Sequence, residues 1–124
     1  MFRASVLAAL AILAAIATGG AAMARPAAPP TLKGTVGPGF TITLTQGGKK
    51  VTALKAGTYK FVIADKASIH NFVLEQESGG KWEKDLTSVP FVGTKTVTVA
   101  LKKGKWKYYC APHESMMFGF FTVK

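Results

Sequence analysis

Lys105-Trp-Lys-Tyr-Tyr-Cys110-Ala-Pro-His113-Glu-Ser-Met116-Met117-Phe-Gly119-Phe-Phe-Thr-Val-Lys124 holds the only cysteine of the chain, one of its two histidines and two of its four methionines. In the first six residues the side chains alternate. Trp106, Tyr108 and Cys110 share one face, while Lys105, Lys107 and Tyr109 share the other, which is the period of a β-strand. The spacing predicts a strand over Lys105 to Cys110 that carries the cysteine inward above two aromatics. A tight turn stiffened by Pro112 follows, and a second strand runs from Phe120 to Lys124.

Moving outward, the same signature recurs in short runs separated by glycine: Thr31 to Gly37, Phe40 to Thr45, Lys50 to Leu54, Tyr59 to Ala64, Ile69 to Glu75 and Lys95 to Leu101. Val, Thr, Phe and Tyr dominate these runs, and all favour strands. Gly47-Gly48, Gly57, Gly79-Gly80 and Lys102-Lys-Gly104 punctuate them as turns. Ser78 to Gly93 is the least regular stretch and reads as a loop-rich connection with a short strand over Trp82 to Leu86. No helical period is sustained after residue 30, and there is no internal repeat. About eight short strands at this spacing predict an all-β fold, a Greek-key β-sandwich or barrel.

The N-terminal residues differ in kind. Arg3, an apolar run from Ala4 to Ala17, and small residues ending Ala22-Met23-Ala24 have the order of a secretory signal peptide, and the run is shorter than the roughly 20 residues of a spanning helix. Cleavage after Ala24 would leave 100 residues carrying +9, one less than the whole chain's +10 because Arg3 leaves with the leader. Arg25-Pro-Ala-Ala-Pro-Pro30 then reads as an extended spacer. The expected organisation is a leader over 1–24, a spacer over 25–30 and one domain over 31–124, exported to the periplasm or the medium with no membrane span after processing.

Export sharpens the question of the cysteine. Disulfides persist outside the cytoplasm, yet one cysteine cannot form one internally. Intermolecular pairing, a reactive thiol and a metal ligand are the explanations on offer, and ligation also keeps the thiolate occupied. Alone, His70 would read as a partly buried structural histidine and Cys110 as a small buried hydrophobe. Together, a thiolate, two imidazoles and a thioether are soft and borderline donors that suit copper. His70, Cys110, His113 and one methionine are therefore the expected ligands of a single ion.

Several function classes fit poorly. The lysines, among them Lys49, Lys50, Lys55, Lys60, Lys95 and Lys105, alternate with apolar residues on strands, which is a solvated sheet face and not a nucleic-acid groove. They leave docking of an acidic partner open. Four protein ligands leave no open metal position for a substrate, so no enzyme is expected. A Cys-His nucleophile is not favoured either, since no third orienting residue accompanies the pair.

His70-Asn71-Phe72, followed some forty residues later by Tyr109-Cys110-Ala-Pro112-His113 and then methionine and glycine before a final strand, resembles the type 1 blue-copper proteins of the cupredoxin family, such as plastocyanin, pseudoazurin and amicyanin. The resemblance spans about Thr31 to Lys124. It implies a Greek-key sandwich with His70, Cys110 and His113 as equatorial ligands and a weak axial methionine. It also implies that Asn71 ties the two ligand-bearing segments by hydrogen bonds, with Pro112 supporting the loop. Gly119 matches the glycine two residues after the axial methionine, which favours Met117. The departure is the spacing, because family loops commonly place two or four residues between histidine and methionine. Met117 gives three here and Met116 gives two, so Met116 stays as the alternative axial ligand. The implied function is one-electron transfer between redox partner proteins by a monomer. Its electron port is the His113 edge, framed by an apolar patch drawn from Met116, Phe118 or Pro112. The alternative is a periplasmic copper carrier that delivers the ion itself.

Overall fold

Alternation of buried and exposed side chains along each strand builds two sheets that face each other across a single apolar layer. The computed structural model describes Gly19 and residues 27–124. Apart from Gly19, the leader expected over 1–24 lies outside the described residues, as do the first two residues of the spacer. Among the described residues there are ten strands: β1 (Thr31–Val36), β2 (Ile42–Gln46), β3 (Lys49–Lys50), β4 (Ala53–Leu54), β5 (Gly57–Asp65), β6 (Val73–Gln76), β7 (Glu83–Asp85), β8 (Gly93–Leu101), β9 (Gly104–Tyr109) and β10 (Phe118–Val123). One turn of 3-10 helix over Ala111–His113 completes the regular structure of these residues. The sheets have the orders β3-β2-β1-β5-β8 and β4-β10-β9-β6-β7. Both are mixed, with β1 parallel to β5 and β10 parallel to β4.

The inward residues of both sheets form one core that includes Leu32, Leu44, Phe61, Ile63, Leu74, Trp106, Tyr108 and Phe121. Each large apolar side chain enclosed in this way contributes roughly 1.5–3 kcal/mol. Aromatic rings stack through it: Tyr108 lies between Phe72 at 5.7 Å and Phe121 at 6.4 Å, centroid to centroid. Polar ends are satisfied, as where Trp106 Nε1 donates to the Lys102 carbonyl at 2.9 Å.

Three sequence expectations change. The run Lys50 to Leu54 is not one strand. Its ends belong to different sheets, β3 beside β2 and β4 beside β10, and Val51-Thr52 cross between them with Val51 N–H donating to Leu44 O and Thr52 O accepting from Thr122. This split, together with the short β7 inside Trp82 to Leu86, raises the expected eight strands to ten. The run Ile69 to Glu75 pairs only from Val73 onward. His70 to Leu74 are all buried without alternation because the chain here crosses the end of the sandwich, enclosed on every side. Its backbone bonds go across that end: Phe72 N–H donates to Thr87 Oγ1 at 2.9 Å and Phe72 O accepts from Leu86 at 2.7 Å. Tyr109 also departs from its lysine-face neighbours. It is buried, its hydroxyl donating to Glu83 Oε1 at 2.6 Å and Lys107 Nζ lying 5.1 Å from its ring. Burial and the adjacent carboxylate push its phenol well above the ordinary tyrosine value.

The register places one end of the sandwich under particular demand. β5 ends opposite Val36 and Gly93, while Tyr109 at the end of β9 pairs Val73 at the start of β6 and Phe118 at the start of β10. The loops 37–41, 66–72, 86–92 and 110–117 therefore emerge together. Across this end Gly119 pairs with Tyr108, and a Cβ on Gly119 would fall on the Tyr108 ring. Gly119→Ala should accordingly destabilise the protein by about 1–3 kcal/mol through overpacking. For a domain of this size each kcal/mol lowers Tm by roughly 4–8 °C, and a melt indistinguishable from the parent's would refute the close packing.

Candidate metal centre

Two loops supply the chemistry. The 66–72 loop folds back through His70 N–H to Ala67 O at 3.4 Å and brings His70, fully enclosed, to the end of the sandwich. In the 110–117 loop, Pro112 stands in the first turn of the short 3-10 helix, where a missing N–H costs nothing. His113 N–H donates to Cys110 O at 3.1 Å, Met116 and Met117 N–H both donate to His113 O, and Cys110 N–H closes the loop onto Met117 O at 3.0 Å. The two loops are joined by one side chain. Asn71 Oδ1 accepts from Ala111 N–H at 2.8 Å.

The result is a tight triangle. His70 Nδ1 and His113 Nδ1 are 3.2 Å apart, and Cys110 Sγ lies 3.7 Å from the first and 3.6 Å from the second. One donor atom from each of the three residues lies within 4.8 Å of the others, the only such cluster of three or more His, Cys, Asp or Glu among the described residues. A point equidistant from the three atoms is about 2.0 Å from each, close to the 2.0–2.3 Å of nitrogen and thiolate bonds to a d-block ion. Cys110 and His70 are wholly buried, and His113 is partly exposed.

The methionines separate sharply. Met117 is fully buried in the same apolar cluster as Cys110, whereas Met116 is 60 % exposed. Phe40 is a neighbour that sequence reasoning did not find. Its ring stands edge-on to both imidazoles, 5.5 Å from His70 and 4.9 Å from His113, and roofs them while half-exposed itself. Nothing in the sequence announces this, since Phe40 reads only as the start of a strand after Pro38-Gly39. Asp65 is the second residue that was missed. Its carboxyl is buried beside the 66–72 loop, and desolvation raises its pKa against the opposing influence of the Ala67 N–H, the Thr87 side chain and the nearby His70.

Two imidazole nitrogens, one thiolate and a buried thioether close at hand fit one type 1 copper ion, because that softness and a three-donor plane suit neither oxygen-seeking cations nor an all-sulfur site. Comparisons with known proteins agree on the class. The model of the copper-binding proteins of the plastocyanin/azurin family matches residues 40–124. No curated protein sequence matches significantly. Among solved structures the fold is similar to reduced rusticyanin, with a TM-score of 0.56, 19 % identity, and 76 % of this chain and 78 % of that one covered. It is similar to auracyanin A, a "blue" copper protein from the green thermophilic photosynthetic bacterium Chloroflexus aurantiacus, with a TM-score of 0.52, 19 % identity, and 78 % and 100 % covered. A reduced variant of amicyanin gives a TM-score of 0.51 at 13 % identity, with 79 % and 86 % covered. At these identities the structures speak for the fold, and the family match speaks for descent: the chain is a cupredoxin, a member of the plastocyanin/azurin family of copper-binding proteins.

Proposed function

We propose that this protein is an exported one-electron carrier between redox partners, with His70, Cys110 and His113 as equatorial ligands and Met117 as the weak axial ligand. The observation that carries the reading is the triangle of donors 3.2–3.7 Å apart at a buried corner. Copper, when bound, supplies a couple between singly and doubly positive charge. The residues supply the rest. Asn71 holds the two ligand loops together, the stacked rings of Phe72 and Tyr108 lie in the core behind them, and Phe40 roofs the imidazoles, so the donors have little freedom to rearrange. A set that stays put during oxidation and reduction keeps reorganisation small, which suits transfer of electrons over delivery of the ion. Burial of Met117 supports it over the exposed Met116 as the axial donor.

Access supports the same reading. His113 is the only one of the three ligands with an exposed edge. Of the six exposed large hydrophobics among the described residues, Phe40, Ile69, Val92 and Met116 all stand on loops of this end. An apolar collar around a partly exposed imidazole is a surface for brief docking of a partner. Lysines elsewhere on the surface, of which Lys107 alone among the described residues is in a salt bridge, with Glu114, give a positive field that favours an acidic partner. Export rests on the leader pattern in residues 1–24.

The copper-loaded protein should be intensely coloured by thiolate-to-copper charge transfer, bleach on reduction and recover its colour on oxidation with metal content unchanged. Loss of copper on reduction would instead favour the ion carrier. Cys110→Ser should abolish the colour, because a hydroxyl lacks the polarisable thiolate, and a retained spectrum would place the metal elsewhere. Met117→Leu should preserve the colour and shift the reduction potential, while Met116→Leu should leave both as they are; the opposite pattern would transfer the axial role to Met116. Electron exchange with an acidic partner should slow as ionic strength rises, and rates indifferent to salt would remove the lysines from docking.

A further inference from the structure

Among the described residues two buried side-chain polar atoms have no hydrogen-bond partner, and they belong to neighbours in the fold: Asp65 Oδ2 and His70 Nε2. Buried polar atoms are almost always paired, so two orphans of complementary chemistry in one corner call for an explanation. Asp65 is the last residue of β5, opposite Val36 and Gly93. Its other oxygen, Oδ1, accepts from Ala67 N–H at 3.3 Å, and Ala67 O in turn accepts from His70 N–H. The chain thus curls so that carboxyl and imidazole share the inside of one short loop.

The orientation of the ring follows from its contacts. Nδ1 points to Cys110 and His113. The opposite side is set against Gly37, where an added Cβ would lie 2.9 Å from His70 Cδ2 and 3.3 Å from the Ala67 Cβ. Gly37 directly follows Val36, the residue paired with Asp65. Cδ2 is bonded to Nε2, so the free nitrogen lies toward the Gly37–Ala67 side of the ring, with the Asp65 carboxyl near enough to interact electrostatically with the imidazole. Thr87 closes the corner. Its Oγ1 accepts from Phe72 N–H at 2.9 Å. Asp65, His70 and Thr87 are 2 %, 0 % and 1 % exposed, so bulk water does not compete.

We propose that Asp65 is a positioning residue of the metal centre, its Oδ2 accepting the Nε2–H of His70 directly or through one bridging water when Nδ1 is committed to copper. A partner on the outer nitrogen fixes the tautomer and ring angle of a ligating histidine and strengthens it as a donor. An anionic acceptor does so more than a neutral one, because charge-assisted hydrogen bonds are the stronger class. A stronger imidazole donor favours the doubly positive ion over the singly positive one. Asp65 therefore holds the reduction potential below the value the same site would have with a neutral residue in that corner.

This inference rests on the copper reading above, and the test separates the two. Asp65→Asn keeps the shape and removes the charge. In the copper-loaded protein it should retain the colour while shifting the preference between the two copper states about tenfold toward the reduced one, the lower end of the usual effect of such partners. For a one-electron couple this is about 59 mV more positive. In the reduced, diamagnetic parent protein, NMR should show a His70 Nε2–H proton that is downfield-shifted and slow to exchange with solvent. A coloured Asp65→Asn protein with the parent potential, or a His70 Nε2–H in fast exchange in the parent, would overturn the role of Asp65. The NMR result decides the matter even if the variant does not fold. A parent protein that takes up copper without colour would refute the site itself.

Discussion

Three electron-pair donors face one another within 4.8 Å where water hardly reaches. Two imidazole nitrogens 3.2 Å apart and a sulfur 3.6–3.7 Å from both leave their lone pairs aimed at one point. Such convergence is costly without a cation to share it and favourable with one, and the rest of the structure can be understood as what maintains it. The sandwich does so by ending β5, β6, β9 and β10 at the same level, so that a crossover between sheets and a hairpin loop within one sheet meet. A single hydrogen bond from Ala111 to Asn71 then locks the two loops in register.

Rigidity and access are divided among different residues. His70, Cys110 and Met117 are sealed against the core, and the aromatic column of Phe72, Tyr108 and Phe121 leaves no room for the loops to sink. Gly119 belongs to this packing, for the Tyr108 ring occupies the space of its missing side chain. Contact with the outside falls to His113 and to the apolar side chains around it, with Phe40 both roofing the rings and presenting a hydrophobic face to solvent. Enclosed donors and one exposed edge thus fall to different residues of the same corner.

Much of this was legible beforehand because it follows from local chemistry. Alternation in Lys105 to Tyr109 and Phe120 to Val123 reflects a sheet with one face on the core, and the strands are where that pattern puts them. It misled in Ile69 to Leu74, where the chain leaves its sheet and every residue from His70 on is buried, so no periodicity marks the crossover. It misled again at Lys50 to Leu54, because a strand that changes sheets in its middle has the same composition as one that does not. Phe40 and Asp65 carried no signal at all. Phe40 read only as the start of a strand and Asp65 stood just past the end of another, and only the packing of distant loops makes them neighbours of the histidines.

The sequence by itself determined the class of fold and the kind of donors, since β-periodicity and the softness of sulfur and imidazole are properties of residues and their order. Tertiary structure decided which of two adjacent methionines is enclosed, what roofs the rings and what lies behind His70. These depend on burial and on contacts between residues far apart in the chain: Met116 and Met117 are identical in chemistry and differ only in the side of the loop from which each projects.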